Sequence, residues 1–150
     1  MRNKYKFILI DMRSQFYCTG QIFTEKIIKW TKKTLNSNLK NDIYLILPRP
    51  IGGTGKYLSL LASLYLKDAL DEPVHPHNYK QTMKFLNILF EYKIKSNKNI
   101  RILSGDVHEC YIKTIEHIKN DKKYQINQYI SSGITRSSRA NDSNLFVKLR

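Results

Sequence analysis

The chain has few of the residues that would place it in the simplest functional classes. Its 150 residues include only two cysteines, four prolines and six glycines. Cys18 and Cys110 are too few for a disulfide framework, and no Cys-x-x-Cys is present, so a reducing compartment is expected. No run approaches the roughly 20 apolar residues of a membrane-spanning helix. The N-terminal apolar stretch stops at Asp11 and is followed by no small-residue cleavage site, so it reads as a first core strand rather than a signal peptide. A cytoplasmic protein with no membrane partner is the expectation. Acidic residues are also scarce, 12 against 26 Lys and Arg, for a formal charge of +14.

That charge invites nucleic-acid binding, because clustered Lys and Arg neutralise phosphates. Here the 19 Lys and 7 Arg are spread along the whole chain, beside 18 Ile and 12 Asn. The Lys-Ile-Asn excess resembles codon usage in an AT-rich genome more than a shaped basic face. Nucleic acid is therefore not the expected partner, although a positive field would draw in an anionic substrate.

Two nucleotide and hydrolase signatures fail on inspection. In Pro50-Ile-Gly-Gly-Thr-Gly-Lys56 the first glycine is misplaced for a phosphate loop, and Tyr57 stands where Ser or Thr is required. Ser131-Ser132-Gly133 has no helical sequence after it and is not a nucleophile elbow.

What is present is an alternation of strand and helix patterns. Tyr5 to Asp11, Ile43 to Leu47 and Ile100 to Leu103 are short apolar runs, read as strands buried on both faces. Gln21 to Leu35 and Tyr79 to Ile94 carry helical spacing, and Tyr57 to Leu66 suggests a short buried helix. Cys110 to Ile118 and Tyr124 to Ser131 alternate in strand fashion around a connection at 119–123, as a hairpin at a sheet edge. The order β-α-β-α-α-β, then β-β, predicts an α/β layered sandwich in one domain. Residues 137–150 read as a mobile loop and a short terminal strand.

In α/β sheets, functional loops gather beyond the carboxyl ends of buried strands. Three such ends carry charge: Asp11-Met12-Arg13, Pro48-Arg49-Pro50 and Gly105-Asp106-Val107-His108. Asp106 and His108, two residues apart after a glycine, suit a metal that accepts both oxygen and nitrogen. The spacing fits equally a turn capped by Asp106 with His108 on a wet edge. Cys110 would share their face in an extended segment, as a ligand or as a small core residue. Val74-His75-Pro76-His77, beside Asp68, Asp71 and Glu72, could add ligands or simply start a helix at Pro76.

RILSGDVHECYI, followed about twenty residues later by INQYISSGITR, resembles the C-terminal half of PhoD-like (alkaline phosphatase D) metallophosphatases, of the calcineurin-like metallophosphoesterase superfamily. FILIDMRSQF resembles that family's strand ending Asp-x-Arg. The helix with Trp30 is similar to the one that follows it, and LKDALDEPVHPHNYKQTMKFLNIL to its Asp-rich loop and long helix. The likeness covers residues 5 to about 136.

The resemblance implies a metal-dependent phosphoesterase acting on a phosphate ester, with Fe, Mn, Ca or Zn ions. It implies His108 as a metal ligand with Asp106 beside it, and His75 or His77 as a further site histidine. Arg13 joins Asp106 and His108 as a candidate catalytic residue, while Asp11, Asp68 and Asp71 would support the site. Two departures stand out. Pro73 occupies a place that is commonly aromatic in the family. The family's early Asp, Gly-Asp and Gly-Asn motifs are missing, since the one Gly-Asp here is Gly105-Asp106. The chain therefore reads as the second half of such a domain, truncated or split, with a separate N-terminal half as partner. The alternative is a non-enzymatic basic α/β module that binds nucleic acid or a protein.

Overall fold

A computed structural model describes residues 4–51, 73–105 and 110–131. The expected helix at Tyr57 to Leu66, the expected terminal strand, and Asp68, Asp71, Asp106 and His108 lie outside these residues.

The elements in chain order are β1 (Tyr5–Leu9), α1 (Met12–Thr19), α2 (Glu25–Asn36), β2 (Asp42–Leu47), α3 (Pro76–Ser96), β3 (Ile100–Ser104), β4 (Cys110–Lys119) and β5 (Lys122–Ser131). The strands form one sheet in the order β1-β2-β3-β5-β4. β1, β2, β3 and β5 run parallel, and β4 is antiparallel to β5. The mixed α/β fold expected from the alternating pattern is present. The hairpin differs from expectation in one respect: only β4 is an outer strand, while β5 inserts beside β3 as a parallel interior strand.

Residues with a helix-facing side chain build the core. Ile8, Ile43, Leu45, Leu47, Ile100, Ile102 and Ile126 meet Ile28 and Leu35 of α2 and Phe85, Ile88 and Leu89 of α3. Phe23, just before α2, stacks on Phe85 with centroids 4.1 Å apart, a contact that adds about 0.5–1.5 kcal/mol to the burial itself. At the far end of α3 the Tyr92 hydroxyl donates to the carbonyls of Asn38 and Asn41, tying the helix to the turn that leads into β2. Burial pushes the Tyr92 phenol above its ordinary pKa.

The other face corrects the sequence reading of β1, β2 and β3 as buried on both sides. Tyr5, Phe7 and Leu9 are exposed, and the alternate residues of β2 are only half-buried. β1 is an outer strand. Its run of apolar residues reported two apolar faces, but α2 and α3 both pack on one side of the sheet. A second correction concerns 12–19. The first strand stops at Leu9, and Asp11 starts a helix whose Met12 and Phe16 turn to the core.

Candidate functional site

Parallel strands align their carboxyl ends, and a crossover helix brings its own amino end back to that side. β1, β2, β3 and β5 therefore end together, at Leu9, Leu47, Ser104 and Ser131, and α3 begins there. The strand that precedes Asp106 and His108, the turn holding Asp11, and the loop holding His75 and His77 all belong to this end of the sheet.

Asp11 is the N-cap of α1. Its Oδ1 accepts the Ser14 N–H at 3.0 Å, which satisfies one of the amides a helix start leaves unpaired. The hydrogen bonds from Ser14, side chain first and backbone second, hold the carboxyl below its usual pKa even though it is exposed. Arg13 follows in the first turn, with an exposed side chain that has a partner of its own.

The histidine loop is held from three sides. His75 is buried and caps α3: its Nδ1 accepts the His77 N–H at 3.2 Å. Pro76 takes the first helical position, where a missing N–H costs nothing. The Thr82 hydroxyl, itself buried, donates back to the Pro73 carbonyl at 2.8 Å. His77 Nε2 donates to the Gly20 carbonyl at 2.9 Å, which fixes the neutral ring as the Nε2–H tautomer. Gly20 closes α1 in the left-handed region, at φ 68°, with its N–H on the Phe16 carbonyl at 2.7 Å. This bridge links the end of α1 to the start of α3 across 57 residues of sequence. Sequence reasoning passed over Gly20. Its signal was a lone glycine at the end of an apolar i, i+4 pair, Met12 and Phe16.

Of the predicted site residues, Asp11, Arg13, His75 and His77 are thus described, and two of the four have a cap role as well. Pro73, in place of the aromatic expected near that position, supplies the carbonyl that Thr82 needs. Among the described residues no three His, Cys, Asp or Glu side chains gather as a metal site. The described residues by themselves therefore do not make a metal centre. Neither Cys18 nor Cys110 forms a disulfide, and both are exposed. No described helix is long and apolar enough to cross a membrane.

No family model and no curated protein matches the sequence. Among solved structures, the chain resembles the structure of PhoD with a TM-score of 0.58 at 13% sequence identity. The likeness covers 87% of this chain and 27% of the PhoD chain. The fold is thus PhoD-like over nearly all of these residues, and the chain spans about a quarter of the length of PhoD.

Proposed function

We propose that residues 1–150 contribute the second part of a metal-dependent phosphoesterase domain whose remaining ligands come from polypeptide outside them. The observation that carries this reading is the PhoD-like fold over 87% of the chain. It coincides with the strand ends that the Asp-x-Arg, Gly-Asp-x-His and Ser-Ser-Gly sequences had singled out. In the assembled enzyme, His108 and Asp106 would hold metal, and the ions would polarise a phosphate ester and activate water. Arg13, exposed in the first turn after β1, would meet the phosphate as a fixed positive charge. Asp11 orients that turn through its cap. His77 would serve as a site histidine through Nδ1, the ring nitrogen outside its bond to Gly20, whereas His75, whose Nδ1 accepts the capping bond and whose neutral ring therefore carries its proton on Nε2, would support the loop rather than ligate metal. Asp68 and Asp71 would support the site from the preceding loop.

The test is turnover of bis-p-nitrophenyl phosphate and p-nitrophenyl phosphate with Mn, Ca or Fe. The chain alone should show none above background. Addition of the polypeptide encoded immediately upstream should produce turnover that His108→Ala abolishes. Turnover by the chain alone, lost in the same variant, would overturn the division of the site. No turnover in any combination would overturn the phosphoesterase reading.

The +14 charge favours a second reading, a basic module that binds nucleic acid. Submicromolar binding to generic DNA or RNA with a steep salt dependence would support it.

A further inference from the structure

Gln128 brings an amide into the covered face of the sheet. It is 0% exposed and stands in β5 between Ile126 and Ile130, both buried. In the parallel register Gln128 pairs with Ile102, and Ile130 pairs with Ser104. Ser104 is therefore the diagonal neighbour of Gln128 on the same face, within reach of a long side chain. Gln128 Nε2 donates to Ser104 Oγ at 2.9 Å. Gln128 Oε1 has no hydrogen-bond partner among the described residues. A buried acceptor left unpaired costs free energy. A leucine or methionine fills nearly the same volume and would meet α2 and α3 without that cost.

Stability thus gives no reason for an amide here, but position does. Ser104 is the last residue of β3, and Cys110 is the first of β4. In the sheet, β5 lies between those two strands. Ser104 pairs with Ile130 on one side of it, and Cys110 pairs with Ser131 on the other. The stretch that carries Asp106 and His108 is therefore anchored at both ends to the last two residues of β5. At the Cys110 end the side-chain contact is weak and exposed, with Sγ 4.0 Å from Ser131 Oγ. At the Ser104 end it is a part-buried bond of ordinary length. Strand ends open more readily than strand centres, and a buried side-chain tie opposes that opening.

We infer that Gln128 is a positioning residue: through Ser104 it fixes the point at which the chain leaves β3 toward Asp106 and His108, and it does so at the expense of stability. The chemistry it serves rests on the proposed function, in which Asp106 and His108 hold metal. Gln128 acts through Ser104 and takes no part in the reaction itself.

The test uses the full chain with Gln128→Leu, Ser104→Ala, the double variant, and Ser104→Thr, which keeps the hydroxyl. Two readouts need the chain alone: the denaturant midpoint, and amide exchange at residues 105–108. Gln128→Leu should unfold at the same or a higher denaturant concentration, while those amides exchange roughly tenfold faster. Ser104→Ala should give the same local effect, the double variant no more than either alone, and Ser104→Thr none. The third readout is turnover of bis-p-nitrophenyl phosphate by the chain mixed with the polypeptide encoded immediately upstream. In Gln128→Leu and Ser104→Ala, kcat should fall roughly tenfold or more while KM holds.

A lower midpoint in Gln128→Leu would make the amide an ordinary structural residue and overturn the inference. Unchanged exchange at 105–108 would overturn it as well, as would additive effects of the two substitutions. If the unsubstituted protein turns over no ester in any combination, the phosphoesterase is discarded and the exchange result alone decides the role of Gln128. Turnover that is present but unchanged in both variants does the reverse, keeping the phosphoesterase and discarding the positioning role.

Discussion

The two faces of the sheet are made of similar residues in different circumstances. Ile43, Leu45, Ile102 and Ile126 face α2 and α3 and are fully buried, while Phe7, Leu9 and Ile112 face away and stay open. All seven are large and apolar, and β1 alternates between the two sides within five residues. Hydrophobicity thus reports that a position is suited to burial, and a second element must arrive before any stability is gained. The covered face holds the fold together.

The largest effect should come from deleting side chains on each face. Phe85→Ala removes a fully buried ring stacked on Phe23, and should cost about 3–5 kcal/mol in a denaturant titration. Phe7→Ala on the open face should stay within roughly 0.5 kcal/mol. Comparable losses at both sites would mean that the open face is already covered within this chain, and would break the contrast.

Next in size is Gly20→Ala. A side chain at φ 68° is strained whatever space surrounds it, and here the surroundings are open. The expected cost is about 1–2 kcal/mol, the general penalty for a left-handed L-residue. The bridge to His77 should loosen with it, seen as faster amide exchange at the start of α3. Unchanged stability and exchange would show that the bridge does not hold the covered face at this end.

Tyr92→Phe tests the opposite end of α3. Its hydroxyl serves two carbonyls that would otherwise lack this donor, so a loss of about 0.5–1.5 kcal/mol is expected on thermal or chemical unfolding.

The smallest effect concerns Asp11 and pH. Its folded pKa lies below 3.8 because of the Ser14 hydrogen bonds. A depressed carboxylate adds stability that is complete above the unfolded value and is lost as pH falls through the folded one. The stability difference between the protein and Asp11→Asn should therefore be constant from neutral pH down to about 5 and fall progressively as pH drops further through the unfolded and then the folded pKa. A change centred near neutrality would point to a different titrating group.

The ease of reading the sequence varied with the kind of interaction. α2 and α3 were legible because each carries an apolar stripe of sufficient length and stops at a polar break. α1 was missed because it is only eight residues long, too short for its periodicity to stand out from the strand before it. In the candidate site, the Pro76 helix start could be read locally, since Pro at N1 is a short-range effect, whereas the Asp11 cap went unread together with the helix it begins. The His77 to Gly20 bridge could not, as its partners are 57 residues apart and no spacing rule connects them.

By itself the sequence determined which segments pair apolar residues with strand or helix spacing, and which strand ends carry charge. Those properties depend on neighbours within a few residues. Tertiary structure alone decided that β5 would insert beside β3, that both long helices would choose the same face, and that Gln128 and Ser104 would meet on it. Strand order and register are fixed by packing between distant segments, and a one-residue shift in register would have sent Gln128 to the other face.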